Sequence, residues 1–301
     1  MEELWSLDDA ALATIGNTPV HGLVFLFKWV QQMEATDTRP ICTPEETPET
    51  LFFAKQMITN ACATQALLSM VLNADIKTGD MLSNFKSFTL AFDPEMRGEA
   101  IGNAQEIRDA HNSFGRRDDP FIREHDKNLS SPDDEAFHFV AFIPYEGKVY
   151  ELDGLKKGPI LVGDAEDGSM SDISASWLGV ARKAVQDRIQ RYGAAEIKFN
   201  LMAMVQDKRI PIREGLEKAA ETGNDNSSEA DNLRAQLMAM EEKREQWKIE
   251  NDRRKHNYIP FVLELLKAMA RSGKLPEIRK QASEKYAEKK RKVQGGGSKG
   301  I

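Results

Sequence analysis

Phe53-Ala54-Lys55-Gln56-Met57-Ile58-Thr59-Asn60-Ala61-Cys62-Ala63-Thr64-Gln65-Ala66-Leu67-Leu68 is a polar approach to a cysteine, from which an apolar helix is expected to run on to Leu72. A thiol in the first turn of a helix feels the positive end of the macrodipole. That field and a nearby imidazolium both favour thiolate over thiol. Gln56, six residues upstream, offers an amide that could donate to a developing oxyanion beside the backbone N–H of Cys62. The plain alternative is a buried structural thiol on an Ala-rich helix, and the rest of the chain decides between the two.

The hairpin Phe137-His138-Phe139-Val140-Ala141-Phe142-Ile143, Pro144-Tyr145-Glu146-Gly147, Lys148-Val149-Tyr150-Glu151-Leu152-Asp153 is the second decisive stretch. A type I turn with Tyr145 and Glu146 at its centre and Gly147 last puts His138 opposite Asp153. Directly opposed side chains share a face about 5 Å apart. A one-residue slip would send them to opposite faces. In this register a base and its orienting carboxylate sit together. Cys62, His138 and Asp153 then make a cysteine-hydrolase set, with Gln56 as the oxyanion donor.

Composition fits a folded chain. Of 301 residues 41% are hydrophobic and 30% charged, enough for one sizeable domain and a smaller one. No apolar run approaches the roughly 18 residues that span a bilayer, and no secretory leader pattern opens the chain. Two cysteines cannot make a disulfide framework, so a reducing intracellular setting is expected. Net charge is −7, yet the stretch from Lys274 onward carries nine Lys/Arg against three Asp/Glu, leaving −13 on the rest. An acidic body suits a basic partner and argues against nucleic acid. No P-loop, dinucleotide fingerprint or metal-ligand cluster appears, so no cofactor or metal is expected.

Working outward, Glu2 to Leu7 could open a strand, and Leu23 to Trp29 reads as a buried one. Residues 33–50 read as a Pro-rich loop carrying Cys42 as an exposed, non-catalytic thiol. Residues 80–114 hold two helical patterns, one with Phe85, Phe88 and Phe92 and one with Ile101, Ala104, Ile107 and His111. His111 is expected to be structural. Residues 115–136, including His125, show no apolar periodicity, which in a domain marks a functional or disordered segment. A polar loop spans Gly163 to Ser176, an amphipathic helix Trp177 to Tyr192, and a closing strand Ile197 to Val205.

The domain reading is 1–212, a linker at 213–232, helices at 233–290, and a disordered basic, Gly-rich tail at 291–301. Leu233, Leu237, Met240, Arg244, Trp247 and Asn251 repeat at heptad spacing and turn polar halfway. Pro260 opens a helix, Phe261 to Ala270, with Val262, Leu265, Leu266 and Met269 on one side. His256 beside a basic run suits a binding surface. Lys289-Lys290-Arg291-Lys292 reads either as a nuclear-localisation patch or, at least as well, as a plain solvated run.

These residues resemble the ubiquitin C-terminal hydrolases. The resemblance lies in Gln56 and Cys62 with Asn60-Ala61-Cys62-Ala63-Thr64-Gln65-Ala66, in Phe137-His138-Phe139-Val140, and in Tyr150-Glu151-Leu152-Asp153-Gly154-Leu155. Trp247-Lys248-Ile249-Glu250-Asn251 and Arg253-Arg254-Lys255-His256-Asn257-Tyr258-Ile259-Pro260-Phe261 resemble the long, proteasome-associated branch of that family. The resemblance implies a papain-like α+β fold, a central antiparallel sheet flanked by helices with a knotted chain path, and a helical C-terminal domain. It implies Cys62 as nucleophile, His138 as general base and acid, Asp153 as its orienter and Gln56 as oxyanion stabiliser. It makes 115–136 a crossover loop that limits which conjugates reach the thiol. Ubiquitin conjugates are the implied substrate, and a proteasomal ubiquitin-receptor subunit the partner of the C-terminal helices. A chromatin-remodelling subunit is a further implied partner, and cytoplasm and nucleus the implied locations. A non-catalytic scaffold binding ubiquitin and an adaptor through 229–290 is the alternative.

Overall fold

Leu23-Val24-Phe25-Leu26-Phe27 is apolar at successive positions, so both of its faces must be covered and its backbone groups paired on both edges. The computed structural model describes residues 1–5, 8, 18–30, 37–115, 136–165, 176–192, 198–223 and 227–295. In it, this run forms the middle of β2 (Val20–Lys28). The other strands are β1 (Glu2–Leu4), β3 (Phe137–Tyr145), β4 (Lys148–Leu152), β5 (Ile160–Asp164) and β6 (Asn200–Val205). They form one sheet in the order β1-β6-β2-β3-β4-β5, with every neighbouring pair antiparallel. β5 is not expected from the sequence. The sequence assigns no element to 160–162 and begins a polar loop at Gly163, whereas the strand runs on to Asp164; residues 166–175 of that loop lie outside the described residues.

Each sheet face has its own helix. α1 (Cys62–Val71) lays Ala66 and Met70 against Val24, Ala141, Ile143, Tyr150 and Leu152. On the other face Ala181 and Val185 of α5 (Trp177–Tyr192) meet Phe25, Phe27, Val140, Phe142 and Val149. The alternation of β3 and β4 feeds both cores, as a two-sided sheet requires. Trp177, Val180, Ala184 and Ile189 pack on the α5 side, as their spacing predicts.

The 80–114 stretch holds three helices rather than two: α2 (Asp80–Thr89), α3 (Pro94–Asn103) and α4 (Gln105–Ser113). The Asp93 carboxylate caps α3 by accepting from the Met96 N–H, and Pro94 begins it. Ala104 turns extended, with ψ 112°, and divides α3 from α4. Arg97 of α3 donates to the carbonyls of Thr89, Leu90, Leu51 and Phe53, tying α2 and the approach to Cys62 together. Gly98 lies so close to the same approach that a Cβ there would stand 2.0 Å from the Lys55 carbonyl oxygen.

The expected linker at 213–232 is largely helical. α6 (Arg209–Glu221) covers its first half, and α7 (Ser228–Lys255) begins inside it. Gly215 of α6 sits against Leu233, Arg213 pairs with Glu241 at 3.0 Å, and Asp207 pairs with Arg244 at 3.5 Å. Leu233, Leu237 and Met240 are half-buried while Arg244 and Trp247 are exposed, so the heptad seam is covered in its apolar half. These contacts keep α6 and the first part of α7 with the sheet. The chain divides into one unit of 1–114 with 128–247 and a second of 115–127 with 248–301.

Within the second unit, α8 (Ile259–Arg271) has no buried residue, and α9 (Leu275–Gly295) continues through 291–295 of the tail expected to be disordered. Residues 296–301 lie outside the described residues, as do 116–135 of the expected crossover loop, with His125 among them. Among the described residues, no helix is long and apolar enough to cross a membrane.

Candidate active site

Cys62 is the first residue of α1, and its first turn holds no acidic side chain to offset the dipole. The sulfur is half-buried. Its thiol is pulled below the ordinary value, first by a hydrogen bond with His138, which outweighs the opposing effect of burial. The imidazolium charge and the backbone N–H groups of Ala63 and Phe139 act in the same direction.

His138 is the second residue of β3, on the α5 side of the sheet with Val140 and Phe142. Its ring is buried, and its Nε2 lies 2.7 Å from Asp153 Oδ1, which leaves Nδ1 for the sulfur. Phe27 meets the imidazole edge-on at 5.7 Å. Burial opposes charge on this ring. Hydrogen bonds to Asp153 and Cys62 outweigh it, and His138 is raised to about 9. Burial would lift Asp153 too, yet its bond to His138 holds the carboxyl below its ordinary value. The backbone N–H of Leu155 also donates to Asp153 Oδ1, at 2.9 Å.

The hairpin that unites them differs from the expected one. Tyr145 pairs with Lys148 and Ala141 with Leu152. Glu146 (φ 48°) and Gly147 (φ 73°) are therefore the turn's central residues, the left-handed pair of a two-residue hairpin loop. The register moves by two residues, so His138 and Asp153 are diagonal rather than opposed. A shift of two keeps both on one face, whereas a shift of one would have parted them.

Gln56 approaches the same corner, with its N–H donating to the Gly154 carbonyl at 2.8 Å. Its Nε2 donates to the carbonyls of Ile58 (3.0 Å) and Thr59 (3.1 Å). The side-chain donor is thus engaged within its own loop. Gln65 anchors that loop from α1 by donating to the Ala54 carbonyl at 2.6 Å.

The other singled-out groups stand apart from this set. His111 shares a 2.8 Å hydrogen bond with Thr64, beside a cavity of about 160 Å³ lined by Ile58, Ile101 and Ile107. Cys42 is half-buried against the α1-side core rather than exposed, because its N–H bonds the Pro159 carbonyl and draws it under β5. His256 is exposed and meets Tyr258 edge-on at 4.7 Å.

Sequence reasoning missed the charged residues behind Asp153. Glu151, fully buried, accepts from Arg39 (2.5 and 3.0 Å) and from Arg188 Nη1 (2.6 Å). Arg39 is also held by Asp37. One signal was available. Arg188 falls three residues after Val185 and four after Ala184, on the apolar stripe of its own helix, where a charge requires a partner.

The family model of the ubiquitin carboxyl-terminal hydrolases, family 1, matches residues 1–190, and a second, C-terminal ubiquitin carboxyl-terminal hydrolase model matches 230–275. Ubiquitin carboxyl-terminal hydrolase isozyme L5 of Dictyostelium discoideum is 38% identical, over 96% of this chain and 90% of that protein. Ubiquitin carboxyl-terminal hydrolase 2 of Schizosaccharomyces pombe is 37% identical, over 97% and 91%. Among solved structures, Trichinella spiralis UCH37 bound to ubiquitin vinyl methyl ester superposes with a TM-score of 0.62 at 35% identity, over 82% of this chain and 88% of that one. With a thiol, an imidazole and a carboxylate already joined at the start of α1, this breadth of similarity means that the chain belongs to family 1 of the ubiquitin carboxyl-terminal hydrolases.

Proposed function

We propose that this chain is a deubiquitinating thiol hydrolase that cleaves the amide or isopeptide bond after the C-terminal glycine of ubiquitin. The observation that carries the reading is the buried His138–Asp153 pair, joined at 2.7 Å, whose imidazole lowers the Cys62 thiol at the uncompensated N-terminus of α1. The lowered thiol and the imidazole raised to about 9 both favour the thiolate–imidazolium pair over the neutral one.

The thiolate attacks the glycine carbonyl carbon, and the oxygen becomes an oxyanion. His138 gives its proton to the departing amine, leaving a thioester on Cys62. The now neutral ring takes a proton from water, which attacks the thioester carbonyl. Collapse of the second tetrahedral intermediate expels the thiolate and restores the ion pair, and the freed ubiquitin C-terminal acid gives its remaining proton to solvent. Asp153 holds the ring with Nε2 inward throughout. The Cys62 N–H and Gln56 Nε2 are the oxyanion donors in this scheme. Gln56 must then exchange its bond to Ile58 or Thr59 for the oxyanion, which commits that donor to the transition state.

Ubiquitin as substrate is supported by the Trichinella relative, whose structure holds ubiquitin vinyl methyl ester. Residues 1–212 are read as the catalytic part and 233–290 as the adaptor-binding part. On α8, Phe261, Val262, Leu265 and Leu266 are all exposed, in keeping with a helix completed by a proteasomal ubiquitin receptor or a chromatin-remodelling subunit. The same reading puts the protein in the cytoplasm and nucleus.

The test is hydrolysis of a fluorogenic ubiquitin C-terminal amide by wild type and Cys62→Ala, with and without the receptor's C-terminal domain. Turnover by wild type alone, raised by the receptor domain, is the expected result. Equal inactivity of both proteins with receptor present would instead favour the scaffold.

A further inference from the structure

Asp153 uses one oxygen well and the other hardly at all. Oδ1 accepts from His138 and from the Leu155 N–H. Oδ2 is buried and accepts no hydrogen bond from a described residue. The cation that faces it is Arg188 of α5, whose Nη2 stands 4.0 Å away. Arg188 is itself only 2% exposed, and its position is set on two sides. Nη1 donates to Glu151 Oε1, and the guanidinium carbon lies 4.1 Å from the centre of the Phe27 ring. Phe27 is the same ring that meets His138 edge-on.

The charges alternate outward from the sulfur: Cys62 thiolate, His138 imidazolium, Asp153, Arg188, Glu151, Arg39, Asp37. Arg39 also covers both oxygens of Glu151, so the charge of Arg188 is shared rather than spent there. Among the described residues, Arg188 is the cation besides His138 that faces Asp153. Its importance changes during turnover. While His138 is protonated, Asp153 has two cationic neighbours. Once the ring has given its proton to the leaving amine, Arg188 is the cation that remains to keep the buried carboxylate ionised and accepting from Nε2.

We propose that Arg188 is a positioning residue for the reaction: clamped by Glu151 and Phe27, it holds the Asp153 carboxylate in the orientation that presents Oδ1 to His138. The inference rests on the thiol-hydrolase reading above. Among the described residues, the titratable and charged groups facing Asp153 are His138 from β3 and Arg188 from α5, with Glu151 of β4 behind the arginine and Cys62 of α1 beyond the imidazole. Removing Arg188 takes a cation from beside a buried carboxylate, which then protonates at higher pH, and a protonated Asp153 withdraws the charge that keeps His138 an imidazolium for the thiolate. Activity then fails earlier on acidification.

The experiment measures kcat, KM and the pH profile of kcat/KM for the full chain, using the fluorogenic ubiquitin amide. Wild type and Cys62→Ala serve as controls that establish the hydrolase separately. Arg188→Met is expected to lower kcat about tenfold or more with no rise in KM, and to move the acid limb up by about one pH unit. Arg188→Lys keeps the charge without the planar fork. It should restore the acid limb and leave kcat depressed. Should Arg188→Met fail to fold, Glu151→Gln/Arg188→Met removes both charges together and is read in the same way. Active wild type with any folded Arg188 variant showing wild-type kcat and an unmoved acid limb overturns the proposal. Inactive wild type overturns the hydrolase reading instead.

Discussion

Replacing Asp153 with asparagine isolates what the carboxylate does for His138. The ring sits at about 9 against an ordinary 6.5, although its burial alone would push it below 6.5. The Asp153 and Cys62 partners together therefore outweigh burial by about 2.5 pH units, or roughly 3 kcal/mol at 1.36 kcal/mol per unit. An asparagine at this position would accept a hydrogen bond or donate one, but would contribute no charge. The imidazole, with Cys62 still raising it, is then expected to titrate below 9. A fall all the way to the ordinary 6.5 takes the imidazolium fraction at pH 7.5 from nearly all to about a tenth, which bounds this part of the loss at about tenfold before any effect on geometry. The amide can also turn its NH2 group toward the ring and favour the wrong tautomer, so a total loss of roughly 10²–10⁴ in kcat is expected. The pH profile of kcat/KM with the ubiquitin amide is the assay. For wild type the alkaline limb should lie near 9. For Asp153→Asn the bell should narrow from both sides, because a thiol without an imidazolium partner also ionises later. A variant with its alkaline limb still near 9 and a rate within threefold of wild type would refute the assignment of Asp153.

Cys62→Ala should leave the fold intact and lower the His138 titration point, since the thiolate is one of the two partners that raise it; ring-proton NMR across pH reads this directly. Gly98→Ala should destabilise by about 1–3 kcal/mol or more in urea denaturation, because the added methyl meets the Lys55 carbonyl and α3 must shift off the Gln56 approach. Arg97→Met keeps the stem but strips hydrogen bonds from the carbonyls of Leu51, Phe53, Thr89 and Leu90, and should cost about 2–4 kcal/mol by the same measurement.

The chain's own residues announce the candidate catalytic set more clearly than its surroundings. Cys62 is readable because a helix start is a local pattern, and the thiol's position in the first turn follows from it. His138 and Asp153 are readable in a more limited way. The turn differs from the sequence reading, since Glu146 adopts a left-handed φ that its side chain does not advertise, but the difference is an even number of residues and strand alternation forgives even errors. Glu151 and Arg188 are 37 positions apart on a strand and a helix, so neither could name the other before the sheet was assembled. Gln56 shows the opposite limit. Its distance from Cys62 in sequence suggests a donor, while its bonds to Ile58 and Thr59 depend on a loop path that spacing does not encode. The 213–232 stretch misleads by composition: it is mostly polar and exposed, yet Leu216 and Ala219 are half-buried and Ala230 is buried, and those few contacts lie on helices.

The pairing order of the sheet has a consequence for biosynthesis. β2 is made early, yet its two neighbours are β3, more than a hundred residues later, and β6, at Asn200–Val205. At about 5–20 residues per second, roughly 10–35 s separate the emergence of Lys28 from that of Asn200. Throughout that interval Leu23 to Phe27 is a greasy ribbon with an open edge, and such distant partners make for slow closure. Ribosome-bound chaperones holding this segment until the last strand arrives would decide how much of the newly made enzyme escapes aggregation.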